Sequence, residues 1–184
     1  MTIHKTTNHP VVGRVEWETE KLESGQPIRL LNGFERNVSK VLVPQLAGVR
    51  DIRTDALAAA GAKFDGRLQF FGRAQAQLLA AFAEIESAGL KSRLLSISGS
   101  FNPRLIRKKG GGFTQTPSNH SFGTAFDINA DFNRQGAKPA AVGTRGSVRE
   151  LVPIFEKHGF KWGGRFTTPD GMHFEVAKLT PTTP

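Results

Sequence analysis

Residues 118–129 read SNHSFGTAFDIN and contain the alternation that decides the fold class. Side chains of a strand at residues 125–129 point alternately to its two faces. Phe126 and Ile128 share an apolar face, so Asp127 must point the other way, among small or polar neighbours. This stretch therefore predicts a strand with its apolar face on the core and a polar face above it.

Residues 170–176 read DGMHFEV and repeat the pattern. The apolar residues of this second strand share one face: Met172, Phe174 and Val176. His173 and Glu175 lie on the opposite face, so two polar strand faces can form the floor of one site. Strand and helix signals do not alternate regularly along the chain. We therefore predict an α+β fold with a small antiparallel sheet flanked by helices.

The remaining elements are predicted from hydrophobic periodicity and from cap and turn residues. We expect helices at residues 66–87 and 147–158, the second bent or delayed by Pro153. Residues 1–10 are expected to form a loose tail and residues 100–118 a mobile, glycine-rich loop. Further short strands are expected at residues 11–17, 27–31, 41–46, 94–98 and 160–162.

The chain has 184 residues and no cysteine. Its length suits one catalytic domain with an extra segment, and we place the boundary between residues 1–65 and 66–184. The lack of cysteine excludes disulfide scaffolds, Cys-ligated zinc, iron–sulfur clusters and thiol nucleophiles. No apolar run reaches the roughly 18 residues of a membrane span, and the first twelve residues lack the apolar part of a secretory signal. We therefore expect synthesis in the cytoplasm without a signal peptide, and no membrane insertion.

The net charge of +9 is concentrated in the second half of the chain. Residues 93–184 hold 13 Lys and Arg against 6 Asp and Glu, whereas residues 1–92 hold 12 against 10. The excess includes a basic cluster: Arg104, Arg107, Lys108 and Lys109. Such a face attracts nucleic acid, anionic membranes or anionic wall polymers, although a merely solvated surface is the alternative. No paired aromatic and basic strand motif of the RNA-binding kind supports a nucleic-acid binder.

Two histidines and two acidic residues are candidates for metal chemistry. Two imidazoles and one carboxylate form a typical three-ligand catalytic zinc set, here His120, Asp127 and His173. Gly123 lets the backbone turn so that His120 and Asp127 can face one point. Asp170, three residues before His173, is placed to accept a proton from water. The alternative is that these histidines cap loops or hydrogen-bond carbonyl groups.

The motif Ser118-x-His120-x-x-Gly123-x-Ala125-x-Asp127 resembles the SxHxxGxAxD signature of the M15 zinc peptidases. That family includes D-alanyl-D-alanine dipeptidases and carboxypeptidases and the L-alanyl-D-glutamate peptidases of phage endolysins. Trp162-Gly163-Gly164 followed by Asp170-x-x-His173 is similar to the family's C-terminal block. The resemblance covers about residues 66–177 and implies a Hedgehog/DD-peptidase-like fold with Zn²⁺ as cofactor. Residues 1–65 are not explained by it.

By position, the resemblance implies that His120, Asp127 and His173 are zinc ligands and that Asp170 is the catalytic acid/base. The chain departs from the family where the family carries SGYR, because residues 98–104 read SGSFNPR. Arg104, displaced by three positions, is the nearest candidate for the family arginine that holds the substrate or polarises its carbonyl. A surface cation without that role is the alternative.

Other residues receive smaller assignments. Ser118 is expected to brace the turn that carries His120. Glu175 is expected either to support His173 or to be solvated, and Trp162 either to line the substrate groove or to be structural. His4 and His9 are assigned no role.

The resemblance implies a zinc metallopeptidase acting on the peptidoglycan stem peptide. We expect an L-alanyl-D-glutamate endopeptidase, as an endolysin or an exported antibacterial effector that acts at the cell wall or periplasm after lysis or dedicated export. A D,D-carboxypeptidase and a non-catalytic, zinc-stabilised wall-binding module are the alternatives. We also expect a monomer that does not bind nucleic acid, with residues 1–65 able to dock a delivery partner.

Overall fold

The computed structural model describes residues 2–20, 27–108 and 110–181. Within these ranges the strands are β1 (Ile3–His9), β2 (Gly13–Thr19), β3 (Arg29–Leu30), β4 (Val38–Leu42), β5 (Arg50–Asp51), β6 (Arg67–Phe71), β7 (Ser96–Gly99), β8 (Leu105–Arg107), β9 (Phe113–Pro117), β10 (Ala125–Ile128), β11 (Phe160–Trp162) and β12 (His173–Val176). The α-helices are α1 (Asp55–Ala59), α2 (Gln75–Ser87) and α3 (Val152–Lys157). The fold is α+β, as the sequence predicted.

The central sheet has the strand order β11-β12-β10-β7-β5. Its neighbours pair antiparallel except β5 and β7, which run parallel. Phe126 of β10 is fully buried and packs against Phe82 of α2 and Phe155 of α3, with ring centroids 5.7 and 5.3 Å apart. Two helices thus cover the apolar face of the sheet, and this leaves the opposite face free for polar side chains.

The alternation predicted for the two central strands is confirmed. Phe126, Ile128 and Phe174 are fully buried, and Phe126 stacks on Phe174 with ring centroids 5.7 Å apart. Asp127 and His173, on the other face, are opposed in the antiparallel register. Packing of these apolar side chains in the core therefore fixes the position of both strands. The polar side chains of the two strands meet on the opposite face of the sheet.

The N-terminal residues form a strand, so the prediction of a loose tail is wrong. β1 pairs with β2 along its whole length, from Ile3 opposite Thr19 to His9 opposite Gly13. The Trp17 indole N–H donates to Thr7 Oγ1 at 2.9 Å and adds a side-chain link between the strands. A polar strand such as β1 carries little hydrophobic signal of its own, and the ladder to β2 supplies its order.

The long helix predicted at residues 66–87 is shorter, and its first part is the strand β6. Leu68 and Phe70 are buried between exposed Arg67 and Gln69, and β6 pairs with β4. Asp65 does not cap a helix, because its Oδ1 accepts the Arg67 backbone N–H at 2.9 Å. Leucine and phenylalanine at these positions fit both periods, and pairing with β4 decides for the strand.

Residues 100–118 contain a hairpin rather than one continuous loop, which corrects that prediction. β8 and β9 pair antiparallel, and the glycines at 110–112 at its tip all have a left-handed backbone, with φ from 75° to 109°. Lys109 of the basic cluster lies outside the described residues.

The second predicted helix starts late, as Pro153 required. α3 begins at Val152 and has the proline in its first turn. The Ser147 hydroxyl donates to Glu150 Oε2 at 2.6 Å in the preceding turns. The strand predicted at 41–46 is displaced to β4, and residues Pro44–Leu46 form a 3-10 turn, consistent with a proline that cannot donate to a ladder.

Two hydrophobic clusters pack both parts of the chain together. One contains Val41 and Phe64 beside Phe126, and the other contains Trp17 beside Phe122. Residues from both sides of the predicted boundary therefore contribute to each cluster. A separate role for residues 1–65 stays a prediction. In the parts of the chain that the structure describes, every helix is too short or too polar to cross a membrane.

Candidate metal centre

Three side chains from separate segments meet above the central sheet: His120, Asp127 and His173. His120 Nε2 lies 3.2 Å from Asp127 Oδ1, and His173 Nδ1 lies 3.0 Å from the same oxygen. The two imidazole nitrogens are themselves 3.1 Å apart. One ligand atom from each of the three residues lies within 4.8 Å of the others, so a single cation can contact all of them.

A tight turn delivers His120 to this point. The turn is the 3-10 segment Asn119–Phe122, and Ser118 Oγ accepts the backbone N–H of His120 at its start. Gly123 ends the turn with a left-handed φ of 66°, and a Cβ there would lie 3.2 Å from the backbone nitrogen of Phe71. Glycine is therefore needed both for the backbone angle and for the close packing. Ser118 braces the turn, as expected.

Hydrogen bonds fix which nitrogen of each imidazole faces the centre. His120 Nδ1 donates to the Ser100 carbonyl at 2.8 Å, and His173 Nε2 donates to Glu175 Oε2 at 3.0 Å. Carbonyl and carboxylate oxygens only accept, so the remaining nitrogens, His120 Nε2 and His173 Nδ1, carry lone pairs when the rings are neutral. Two lone pairs and the Asp127 carboxylate oxygen then face one another, an arrangement that a proton on His173 or a metal cation between the three groups stabilises.

The pKa shifts of Asp127 and His173 are consistent with a cation at this position. Burial raises the pKa of Asp127, but the charges and hydrogen bonds of His120 and His173 outweigh it and hold that pKa well below its usual value. Burial lowers the pKa of His173, but hydrogen bonds and charges from Asp127 and Glu175 outweigh it and raise the pKa to about 10. A positive charge at the centre is therefore strongly favoured.

The donor set suits a zinc ion. Zinc prefers imidazole nitrogen and carboxylate oxygen, whereas calcium and magnesium prefer oxygen alone. In each imidazole, the ring nitrogen that points away from the centre carries the N–H and donates it to an oxygen of the protein. This arrangement orients histidine ligands in metalloproteins. Glu175 thus supports His173 rather than lying free in solvent, which answers the alternative left open by the sequence.

Asp170 lines the cavity beside the metal centre. Its backbone is held on both sides, because its N–H donates to the Gly163 carbonyl at 2.9 Å and its carbonyl accepts the His173 N–H at 3.1 Å. Its buried Oδ1 has no hydrogen-bond partner among the residues that the structure describes. Burial, with a smaller contribution from Asp127, raises the pKa of Asp170 to about 6. A carboxylate with such a pKa is suited to accept and release protons near neutral pH.

Arg104 reaches the same cavity. Its backbone N–H donates to Ser121 Oγ at 2.9 Å, and its carbonyl accepts the Ser121 hydroxyl and the Ser118 N–H at 2.7 and 2.9 Å. The residue is therefore tied to the turn that carries His120. Burial chiefly lowers the pKa of Arg104, an effect that the charge of Asp127 opposes. The half-buried side chain beside the two acidic residues is not one more surface cation, and its action on a substrate stays a prediction.

The cavity has a volume of about 490 Å³. Besides the candidate ligands, Asp170 and Arg104, its lining includes Arg53, Arg107 and Phe166. Three arginines therefore contribute to the lining, although the guanidinium group of Arg53 is paired with Asp51 at 2.6 Å. Arginine side chains at such a cavity are suited to pair with a carboxylate group.

The structure also decides between the two alternatives for Trp162 and gives His9 a contact near the site. Trp162 is buried and donates its indole N–H to the Gly171 carbonyl at 2.8 Å, so it is structural and does not line the cavity. His9, to which the sequence assigned nothing, lies with its Nε2 2.6 Å from Asn119 Oδ1, next to the turn of His120. No local signal joins His9 to Asn119 across 110 residues, and only the fold brings them together.

Comparison with known protein families matches residues 112–176 to an M15 peptidase family described as D-alanyl-D-alanine carboxypeptidase. The matched segment contains His120, Asp127, Asp170 and His173. Over this segment the chain is similar to M15 peptidases, which supports the resemblance inferred from the sequence. Comparisons with curated proteins and with solved structures found no match.

The match supports a peptidase, and M15 peptidases typically depend on zinc. In this chain the cluster of His120, Asp127 and His173 could hold such an ion. The match does not extend to β1–β8, so the N-terminal segment lies outside the part of the chain that resembles this family.

Proposed function

We propose that the protein is an M15 peptidase, a zinc-dependent hydrolase of the peptidoglycan stem peptide with a Hedgehog/DD-peptidase-like fold. The observation that carries the proposal is the convergence of two imidazole lone pairs and the Asp127 oxygen within 4.8 Å, beside a buried carboxyl group with a raised pKa. Zinc held by three protein ligands lowers the pKa of water to about 7 and polarises a carbonyl group.

In this proposal the other residues of the site move protons and hold the substrate. Asp170 is mostly ionised at neutral pH, takes a proton from the attacking water, and delivers it to the amine that leaves. The unpartnered Oδ1 of Asp170 is the atom that can receive the proton. Arg104 pairs with the carboxylate of the amino acid that leaves, and its tie to the turn of His120 sets the distance between the two.

We propose the L-alanyl-D-glutamate bond as the one that is cut. In the stem peptide the D-glutamate residue carries a free α-carboxylate beside that bond, and the basic lining of the cavity is complementary to it. The second candidate is a D,D-carboxypeptidase, which the description of the matched family favours. Its substrate also places a carboxylate beside the bond, at the C-terminal D-alanine, so Arg104 would serve both reactions.

The proposal also covers where and how the enzyme acts. The proposed site of action is the cell wall or periplasm, reached after lysis or dedicated export, as for an endolysin or an antibacterial effector. A delivery partner would dock on the N-terminal segment, and we propose a monomer that binds neither nucleic acid nor membranes. Its basic C-terminal half would then serve an anionic wall polymer.

Digestion of purified sacculi tests the proposal. The protein is incubated with sacculi with and without a zinc chelator, and the released fragments are identified by mass spectrometry. Fragments cut after L-alanine support the endopeptidase, whereas loss of single D-alanine residues supports the carboxypeptidase. Binding to sacculi without any fragment would support the wall-binding module and contradict an enzyme. Cleavage that persists in chelator after the zinc has been removed would contradict zinc dependence.

A further inference from the structure

The N-terminal strand ends at a histidine whose two ring nitrogens are both engaged. The backbone N–H groups of Val11 and Val12 donate to His9 Nδ1 at 3.1 and 3.2 Å. A backbone N–H can only donate, so Nδ1 is the lone-pair nitrogen and Nε2 carries the proton. That Nε2–H donates to Asn119 Oδ1 at 2.6 Å. Burial lowers the pKa of His9 and thus favours the same neutral form.

This donation fixes the orientation of the Asn119 amide. Because Oδ1 accepts from His9, Nδ2 must face the other way, where it donates to Glu175 Oε2 at 2.5 Å. The same carboxylate oxygen accepts His173 Nε2–H at 3.0 Å. These hydrogen bonds form a path from His9 through Asn119 and Glu175 to His173. Each atom along the path has a single role as donor or acceptor.

We propose that His9 and Asn119 are positioning residues that hold the metal ligand His173 with its Nδ1 lone pair toward the centre. The inference rests on the zinc site of the proposed function. Without the His9 donor the Asn119 amide can rotate, and Glu175 then loses one of the two donors that keep its Oε2 beside His173. The ring of His173 is then free to turn and to exchange its proton between Nε2 and Nδ1.

Packing supports the rigidity of this path. His9 lies against the fully buried Phe122, with ring centroids 4.9 Å apart, and Phe122 belongs to the cluster that contains Trp17 of β2. Asn119 itself is adjacent to His120 in the turn. The N-terminal hairpin thus supports one ligand through hydrogen bonds and borders the turn of the other, which gives residues 1–65 a role within the chain itself.

Two substitutions at position 9 test separately the donor Nε2–H and the acceptor Nδ1 of the His9 imidazole. In His9→Asn, the amide oxygen replaces Nδ1 and keeps the turn, but the side chain is too short to reach Asn119. In His9→Gln, the amide nitrogen replaces Nε2 and keeps the donation to Asn119. Thr7→Val is the matched control, because it removes the bond to Trp17 and weakens the same hairpin without touching the path.

The measurements are the zinc dissociation constant, from competition with a chelator, and the visible absorption spectrum of the cobalt-substituted protein, which reports ligand geometry. We expect His9→Asn to weaken zinc binding ~10- to 100-fold and to alter the cobalt spectrum. His9→Gln and Thr7→Val are expected to stay close to the wild type. Should His9→Asn fail to fold by circular dichroism, Asn119→Ser carries the same expectation, since serine cannot reach both His9 and Glu175.

Several outcomes would overturn the inference. Wild-type zinc affinity and cobalt spectrum in the folded His9→Asn or Asn119→Ser protein would show that the path does not position His173. Equal losses in Thr7→Val and His9→Asn would show that hairpin stability alone matters. A wild-type protein that binds no zinc would instead overturn the proposed function and, with it, this inference.

Discussion

Asp127 and His173 are directly opposed on β10 and β12, and Asp127 Oδ1 lies 3.0 Å from His173 Nδ1. The antiparallel register sets both side chains at the same level of the sheet, so their approach is built into the strand pairing. His120 is added from a turn whose end packs against β4 and β6 through Gly123. Two ligands thus depend on the central sheet, and the third depends on a separate turn.

Replacing His120 with alanine is expected to abolish stoichiometric zinc binding and peptidase activity, because two ligands hold zinc far less tightly than three. Metal content after dialysis and digestion of sacculi measure the two effects. His4→Ala is the control, since His4 is exposed and pairs with Glu18 at 3.3 Å. Full zinc occupancy in H120A would show that the ligand assignment is wrong.

Zinc binding is expected to release about one proton per chain at pH 8. With a pKa of about 10, His173 is protonated in the metal-free protein, and it must be neutral to bind a metal. The apparent affinity for zinc should therefore rise ~10-fold per pH unit below pH 10. Calorimetric titration in buffers of different ionisation enthalpy measures the proton, and binding without release would contradict the raised pKa.

Asp170→Asn is expected to retain zinc, to lose activity, and to stabilise the chelator-treated protein at pH 8. The raised pKa means that the ionised carboxylate is disfavoured in the folded state, so the cost is present above pH 6 and disappears below about pH 4. We expect a gain of about 1 kcal/mol at pH 8, seen as a higher melting temperature. An unchanged or lower melting temperature at pH 8 would argue against a free-energy cost of the ionised Asp170 carboxylate.

Gly163→Ala tests the contact that holds Asp170 beside the metal centre. A Cβ at Gly163 would lie 2.6 Å from the Asp170 carbonyl oxygen and 3.1 Å from His173 Cβ. We expect a loss of about 1–3 kcal/mol in unfolding free energy and a large loss of activity. Gly72→Ala is the control, because a Cβ there meets its neighbours at an ordinary 3.5 Å. Equal behaviour of the two variants in denaturant unfolding and in activity would contradict the prediction.

Arg104→Met is expected to lower kcat/KM ~10- to 100-fold for a stem peptide with a free carboxylate beside the cut bond, the usual cost of a lost charged hydrogen bond. The control is the same peptide with that carboxylate amidated. The wild type should lose activity on the amidated peptide, whereas R104M should cleave both peptides at similar rates. Equal sensitivity of both proteins to amidation would remove Arg104 from substrate binding.

The strand faces at the site could be predicted from the sequence because they follow from local alternation. Asp127 between Phe126 and Ile128 leaves one orientation that buries the apolar pair. The start of α2 could not be predicted in this way, because Leu68 fits both a helical and a strand period until β4 pairs with it. The local sequence pattern predicts which face of an element a residue occupies. Pairing with another segment decides whether that element is a strand or a helix.

The long-range contacts of the site could not be predicted from spacing. His9 and Asn119 are polar residues without any periodic signal, and their contact depends on the folding of β1 onto β2 and on the turn before β10. The M15 motif marks the ligands because the chemistry of metal binding restricts residue types. It says nothing about side chains that only hold those ligands in place.

The candidate ligands lie far apart along the chain: Asp127 and His173 are 46 positions apart, and His120 and His173 are 53 positions apart. During translation, the chain therefore carries two of the three ligands well before the strand that brings the last one has emerged from the ribosome. A nascent or truncated chain without β12 lacks one of the three candidate ligands. Any capture of metal would then coincide with the completion of the fold.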